Sequence, residues 1–231
     1  MSVLSAEKVT RLSLGVSILD DIFPGFKVGD FAVLHGDAVF FMSFVLSVRC
    51  QMSIKRGGLN SSVVFVDGGN SFDPYIVAKI AQSYSLDSRL ALERIHVSRA
   101  FTAYQLSSLI LEKLEPFLRR KKAKLLIVSD ISALFFDKDV PKTEAEDLFT
   151  KICTKLSEIA FNKQVVVIAG YLPKRRFKQN MFLETFLFGR SSVLVRFKRI
   201  GKGLNLILED HPRVRSFTMD FPEDYSPLVA F

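Results

Sequence analysis

The chain of 231 residues has no tryptophan, two cysteines and three histidines. These scarcities remove several function classes at once. Cys50 and Cys153 lie far apart in apolar patterns, without a Cys-x-x-Cys pair or a histidine at ligand spacing. That argues against a zinc site or a disulfide framework and for buried, inert thiols. His35, His96 and His211 are scattered and lack metal-ligand spacing, so no metal is expected. No run approaches the roughly 20 apolar residues of a membrane span, and no basic-then-apolar leader pattern opens the chain. Repeats and low-complexity segments are missing too. These absences predict a cytoplasmic protein without a membrane partner, a single domain over residues 1–231 whose 48% hydrophobic content fills one sizeable core. The aromatic share of that core falls on 22 phenylalanines.

What is present alternates strand with helix. Apolar, β-branched runs at 30–35, 63–67, 95–97, 125–128 and 165–169 read as buried strands. Helical periodicity occupies 40–52, 74–83, 104–118 and 143–161, the last with acidic residues in its opening turns, where they complement the helix dipole. Such alternation predicts an α/β fold with a mainly parallel central sheet flanked by helices. After Arg190 the pattern changes: 192–199, a turn at 201–203 and 204–209 read as an antiparallel hairpin, with 217–221 as an edge strand.

Residues 36–43, Gly-Asp-Ala-Val-Phe-Phe-Met-Ser, stand between the first buried strand and the first long helix, the place of a phosphate-binding loop. A GxxxxGK[ST] loop needs its second glycine for close backbone approach to phosphate and its lysine to neutralise β/γ-phosphate charge. Those positions hold Phe41 and Met42, while Ser43 keeps the hydroxyl that would help hold magnesium.

Charge is uneven along the chain. Between residues 172 and 215 there are eleven basic residues against three acidic ones, a surplus equal to the whole chain's +8. The rest is balanced in sign, so one stretch carries the attraction for a polyanion, whether nucleic acid or an acidic protein surface. Within it, Lys174, Arg175, Arg176, Phe177, Lys178 and Phe182 combine cations for phosphates with rings for base stacking, and Arg190, Arg196, Lys198, Arg199 and Lys202 follow. A second basic run, Arg119 to Lys122, reads as a solvated connector.

In order, these pieces resemble the RecA/RadA recombinase core, a P-loop NTPase fold. Residues 19–30, with Gly29 and Gly36 at the family's spacing, look like its lead-in to the P-loop. Residues 66–72 and the helix after them are similar to its Asp-Thr-Glu-Asn segment, 125–130 to Walker B, and 196–212 to its closing hairpin and Asp/His/Pro segment. The resemblance spans about residues 10–222 and implies recombinational DNA repair. It also implies roles for particular residues. Asp130 matches a magnesium ligand, Gly69 the glutamate that polarises attacking water, and Gly170 the glutamine that senses the γ-phosphate. Gly36, Phe41, Met42, Ser43, Gly69, Asp130 and Gly170 therefore outline a degenerate nucleotide site with no catalytic residue and no cofactor. Asp67 is expected to serve a turn or cap, and Phe23, Phe26, Phe40, Phe41, Phe135, Phe136, Phe182, Phe186 and Phe188 are expected around the nucleotide and loop face.

The family carries a helical DNA-binding domain and a polymerisation segment ahead of its core, and neither is legible here. The expected protein is a RadA paralog of the archaeal, RadC-like kind, a pseudo-ATPase that binds DNA, single-stranded in preference. RadA recombinase or another paralog is the expected protein partner. The competing reading is a noncatalytic scaffold or signalling adaptor whose basic region meets an acidic protein.

Overall fold

In the computed structural model, residues 10–172, 178–201, 203–222, 225 and 227 are described, the side chains of residues 178–180 excepted. A short antiparallel pair, β1 (Arg11–Leu12) with β2 (Phe26–Lys27), brackets α1 (Ser17–Ile22). Then come β3 (Phe31–Gly36), α2 (Val39–Arg49), β4 (Val63–Asp67), α3 (Pro74–Ser83), α4 (Ser88–Glu93) and β5 (Ile95–Arg99). The chain continues through α5 (Ala103–Ser108), α6 (Leu114–Lys121), β6 (Leu125–Ser129), α7 (Lys142–Lys163) and β7 (Val166–Tyr171). It closes with α8 (Lys178–Arg190), β8 (Val193–Ile200), β9 (Gly203–Asp210) and β10 (Phe217–Asp220).

Eight strands form one sheet in the order β10-β9-β8-β3-β7-β6-β4-β5. From β8 to β5 the pairings are parallel, whereas β8–β9 and β9–β10 are antiparallel, as expected of a helix-covered sheet extended by a hairpin. Every residue of β4, β6 and β7 is buried, because helices cover both faces. Alternate residues feed two cores. Ala32, Leu34, Phe65, Ile127 and Ile168 meet α2 and α3 on one face, and Phe31, Val33, Val128 and Val167 meet α5, α6 and α7 on the other.

Three local features differ from the sequence expectation. The helix expected over 104–118 is interrupted by a wide π-type turn at Leu109–Lys113. Pro116 explains it, since proline has no N–H to give the Glu112 carbonyl and its ring crowds that oxygen. The basic run read as a connector is instead the last turn of α6, ending at Lys122 in the left-handed region (φ 49), with Arg119, Arg120 and Lys121 at the negative end of the helix dipole. Finally, α8 begins inside the segment read as a loop, so Lys178 and Phe182 are helical.

Candidate functional site

The turn from β3 into α2 is built on Gly36. Its φ of +97 suits glycine, and a Cβ there would collide with the Phe197 carbonyl oxygen, so β8 can lie against the turn only in the absence of a side chain. Asp37 ties the turn down. Its backbone N–H donates to the Phe197 carbonyl, and its carboxylate accepts the Arg199 N–H at 2.7 Å. Ala38 then opens α2 with no side-chain cap and no acidic residue in the first turn.

Met42, expected at the position of a phosphate-loop lysine, is fully buried in the core between α2 and the sheet. Ser43 is buried as well, and its hydroxyl donates to the Val39 carbonyl at 2.8 Å. The hydroxyl expected to face a cation is therefore used inside its own helix. Phe40 and Phe41 pack on the same core and line an open cleft of about 460 Å³ with Phe44, Ile76, Leu172 and Arg199.

Gly69, Asp130 and Gly170 converge on this first turn from the carboxyl ends of β4, β6 and β7. A Cβ at Gly69 would stand 2.9 Å from the Cβ of Asp130 and 3.6 Å from the Phe40 ring. A Cβ at Gly170 would stand 2.8 Å from Val39 Cγ1. Gly170 thus makes room for Val39 in the apolar turn, whereas Gly69 makes room for Asp130 and borders Phe40 at ordinary contact distance. Asp130 is buried in the left-handed region at φ 41, and Ser132 Oγ donates to its carboxylate at 3.3 Å.

Asp67 is fully buried at the end of β4. It accepts the Ser71 N–H at 2.9 Å, the Phe72 N–H at 3.2 Å, the Ser129 hydroxyl at 3.1 Å and Arg99 Nε at 3.0 Å. Burial alone would push this carboxyl up, but those donors outweigh it and hold Asp67 below the usual carboxylate range. Its role is to close the turn after β4 and anchor Arg99.

The phenylalanines expected on one face are divided. Phe23 and Phe26 are buried against each other, with His211 at the edge of Phe23, and Phe135 is buried against Phe149. Their sequence positions at element ends do not separate loop rings from core rings, because burial is set by tertiary packing. The histidines are accounted for individually. His35 Nε2 pairs with Glu209 at 2.7 Å, His96 meets the edge of Phe117, and His211 Nδ1 accepts the Arg213 and Val214 N–H groups. Among the described residues no group of three or more His, Cys, Asp or Glu could hold a metal ion, and no helix is long and apolar enough to cross a membrane.

Of the DNA-binding candidates, Lys174, Arg175, Arg176, Phe177 and Lys202 lie outside the described residues, as does the side chain of Lys178. The remainder divide between two faces. On β8, Arg196 and Lys198 alternate with buried Val195 and Phe197 and face outward on the α8 side of the sheet. Arg196 reaches Glu209 only at 3.8 Å. Arg199 points to the opposite face, at the rim of the phenylalanine cleft. Arg190 ends α8 with its guanidinium over the Phe186 ring, 5.3 Å from the centroid.

A second cavity, of about 520 Å³, was not legible in the sequence. It lies beside the π-type turn and is lined by Val64, Ser98, Leu109, Lys113, Phe117 and Arg120. A proline inside an otherwise helical pattern was the one available signal. Among the described residues the adjoining strand β5 pairs only with β4, which leaves its outer edge open. The parallel sheet, the turn between β3 and α2 and the carboxyl-end cluster around it all lie within a stretch that matches a known family model. Residues 6–171 match the model described as Rad51, and the chain belongs to the Rad51 family of the RecA/RadA superfamily.

Proposed function

We propose that this chain is a noncatalytic Rad51-family member that binds DNA, single-stranded in preference, and modulates recombinational DNA repair without hydrolysing nucleotide. The observation that carries the reading is the apolar first turn of α2, with Met42 in the core and the Ser43 hydroxyl committed to Val39. The residues present do not fit a magnesium-bound nucleotide. Met42 carries no charge where the resemblance expects the loop lysine, and Gly69 has no side chain to act as a base. A positioned general base contributes about 10²–10⁴-fold to rate, and charge stabilisation of a transferring phosphoryl group contributes on a similar or larger scale. Without both, useful hydrolysis is not expected.

Binding to DNA rests on what remains exposed. Arg196 and Lys198 form an outward row, Arg190 adds a cation on the same side, and all three belong to the stretch 172–215 in which the sequence concentrates its excess positive charge. A salt-titrated DNA-binding measurement, with and without ATP, tests this reading. Binding that weakens steeply with salt and is indifferent to ATP is the expected result. ATP-dependent binding, or stoichiometric uptake of magnesium-ATP in calorimetry, would overturn it.

A protein partner is a second component of the proposal, favoured by the open edge of β5 beside the larger cavity. An extended peptide could add as a strand to that edge and place an apolar side chain in the cavity. A recombinase or paralog subunit is the partner class that the family suggests. An adaptor that binds only an acidic protein through the basic face would instead show little affinity for DNA.

A further inference from the structure

The outer face of α8 carries a groove of about 280 Å³ lined by Phe182, Thr185, Phe186, Gly189 and Arg190. The spacing of these residues places them along one side of the helix. The Phe182 and Phe186 rings are stacked at 6.3 Å with an interplanar angle of 17°. Arg190 lies over the Phe186 ring at the other end. Leu183 and Leu187 are fully buried, so the inner face of α8 holds the helix in place without using the groove.

Gly189 is the unexplained residue. Its φ is not among the positive values, so no backbone conformation requires glycine. A Cβ there would have nothing within 4 Å, so no close packing requires it either. Glycine is a poor helix former, and its use at this position keeps the groove floor open.

We propose that this groove takes an unstacked base of single-stranded nucleic acid. The occupant is identified by complementarity. The exposed Phe182 ring at the end of the stacked pair offers a surface for stacking, Arg190 is the only charged residue lining the groove among the described residues, and Arg196 and Lys198 continue the positive surface on the same side of the sheet. Cations along the strand neutralise phosphates, while the groove reads the presence of a base. The inference rests on the DNA-binding reading above and adds to it a place for the base.

Gly189→Leu tests it without threatening the fold, because the added side chain projects into open space and leucine favours helix. Its melting temperature should equal or exceed that of the wild type. Affinity is then measured for a labelled oligothymidylate and for an abasic strand of equal length and charge. Wild type should prefer the strand with bases by about tenfold or more. Gly189→Leu should abolish that preference and leave abasic binding unchanged, and Phe182→Ala should reduce it. Equal affinity of wild type for the two strands, or no effect of Gly189→Leu on oligothymidylate, would overturn the base site while leaving phosphate-driven DNA binding intact. Failure of the wild type to bind either strand would overturn both. A phenylalanine-bearing peptide that Gly189→Leu displaces, with DNA binding unaffected, would assign the groove to a protein and overturn the proposal.

Discussion

The turn between β3 and α2 and the outer surface of α8 and β8 are built from similar materials used in opposite ways. Both combine phenylalanines with glycines near cationic residues. At the turn, Met42 is inside the core, Phe40 and Phe41 pack on it, and Gly170 makes room for Val39 beside them. On α8 and β8, Phe182 is 41% exposed, Gly189 borders open space, and Arg196 and Lys198 face solvent. An apolar side chain buried away from water stabilises the fold. The same side chain left at the surface beside a cation is available for a ligand. The contrast places stability in the first region and leaves the second as the surface on which the proposed binding rests.

Restoring lysine at the turn should break that contrast most severely. Met42→Lys would place an ammonium in a fully buried position with no acceptor arranged for it. A loss of about 3–5 kcal/mol is expected in urea unfolding, and nucleotide binding should not return. A stable Met42→Lys that binds ATP would mean the turn is a dormant nucleotide site.

Asp67→Asn is expected to cost about 2 kcal/mol, because it weakens charge-assisted bonds from Arg99 and two backbone amides. The pH dependence has a definite sign. With its folded pKa held below the ordinary 3.8, Asp67 releases its proton more readily in the folded state. Its contribution is fully present above 3.8 and is lost as pH falls from there through the lower folded value. Denaturation curves collected across that acid range should be flatter for Asp67→Asn than for wild type.

Charge reversal at Arg196 and Lys198 should leave stability within about 0.5 kcal/mol, since both are exposed. Affinity for single-stranded DNA should fall about tenfold at low salt, with a shallower dependence on salt. Unchanged affinity would separate the basic strand from the binding surface.

The smallest effect is expected at Ser43. Ser43→Ala removes one hydrogen bond to Val39 and a hydroxyl that already competes with the helix backbone, so the stability change should stay within about 1 kcal/mol. No change in any cation dependence should accompany it, which calorimetry with magnesium can measure.

Much of the architecture was legible because its signals are local. The buried strands 63–67 and 125–128 declare themselves as apolar, β-branched runs, and the amphipathic pattern of 143–161 marks α7 to within two residues at each end. The π-type turn and α8 were not. Pro116 marks a disturbance without saying that the helix will absorb it, and α8 starts in a basic stretch whose composition favours a loop. The candidate site was partly legible. Phe41 and Met42 mark an apolar turn, but nothing in one dimension says that Gly69 and Gly170 border its Phe40 and Val39.

By itself the sequence determined the alternation of strand and helix, the apolar character of residues 39–42 and the concentration of positive charge after residue 172. These follow from side-chain periodicity and composition, which are carried by neighbouring residues. Tertiary structure alone decided which phenylalanines are core and which are groove, and that Arg196 and Arg199 serve opposite faces of one sheet. Those outcomes depend on strand pairing and helix packing between residues more than a hundred positions apart, where contact and burial are set by the assembled fold.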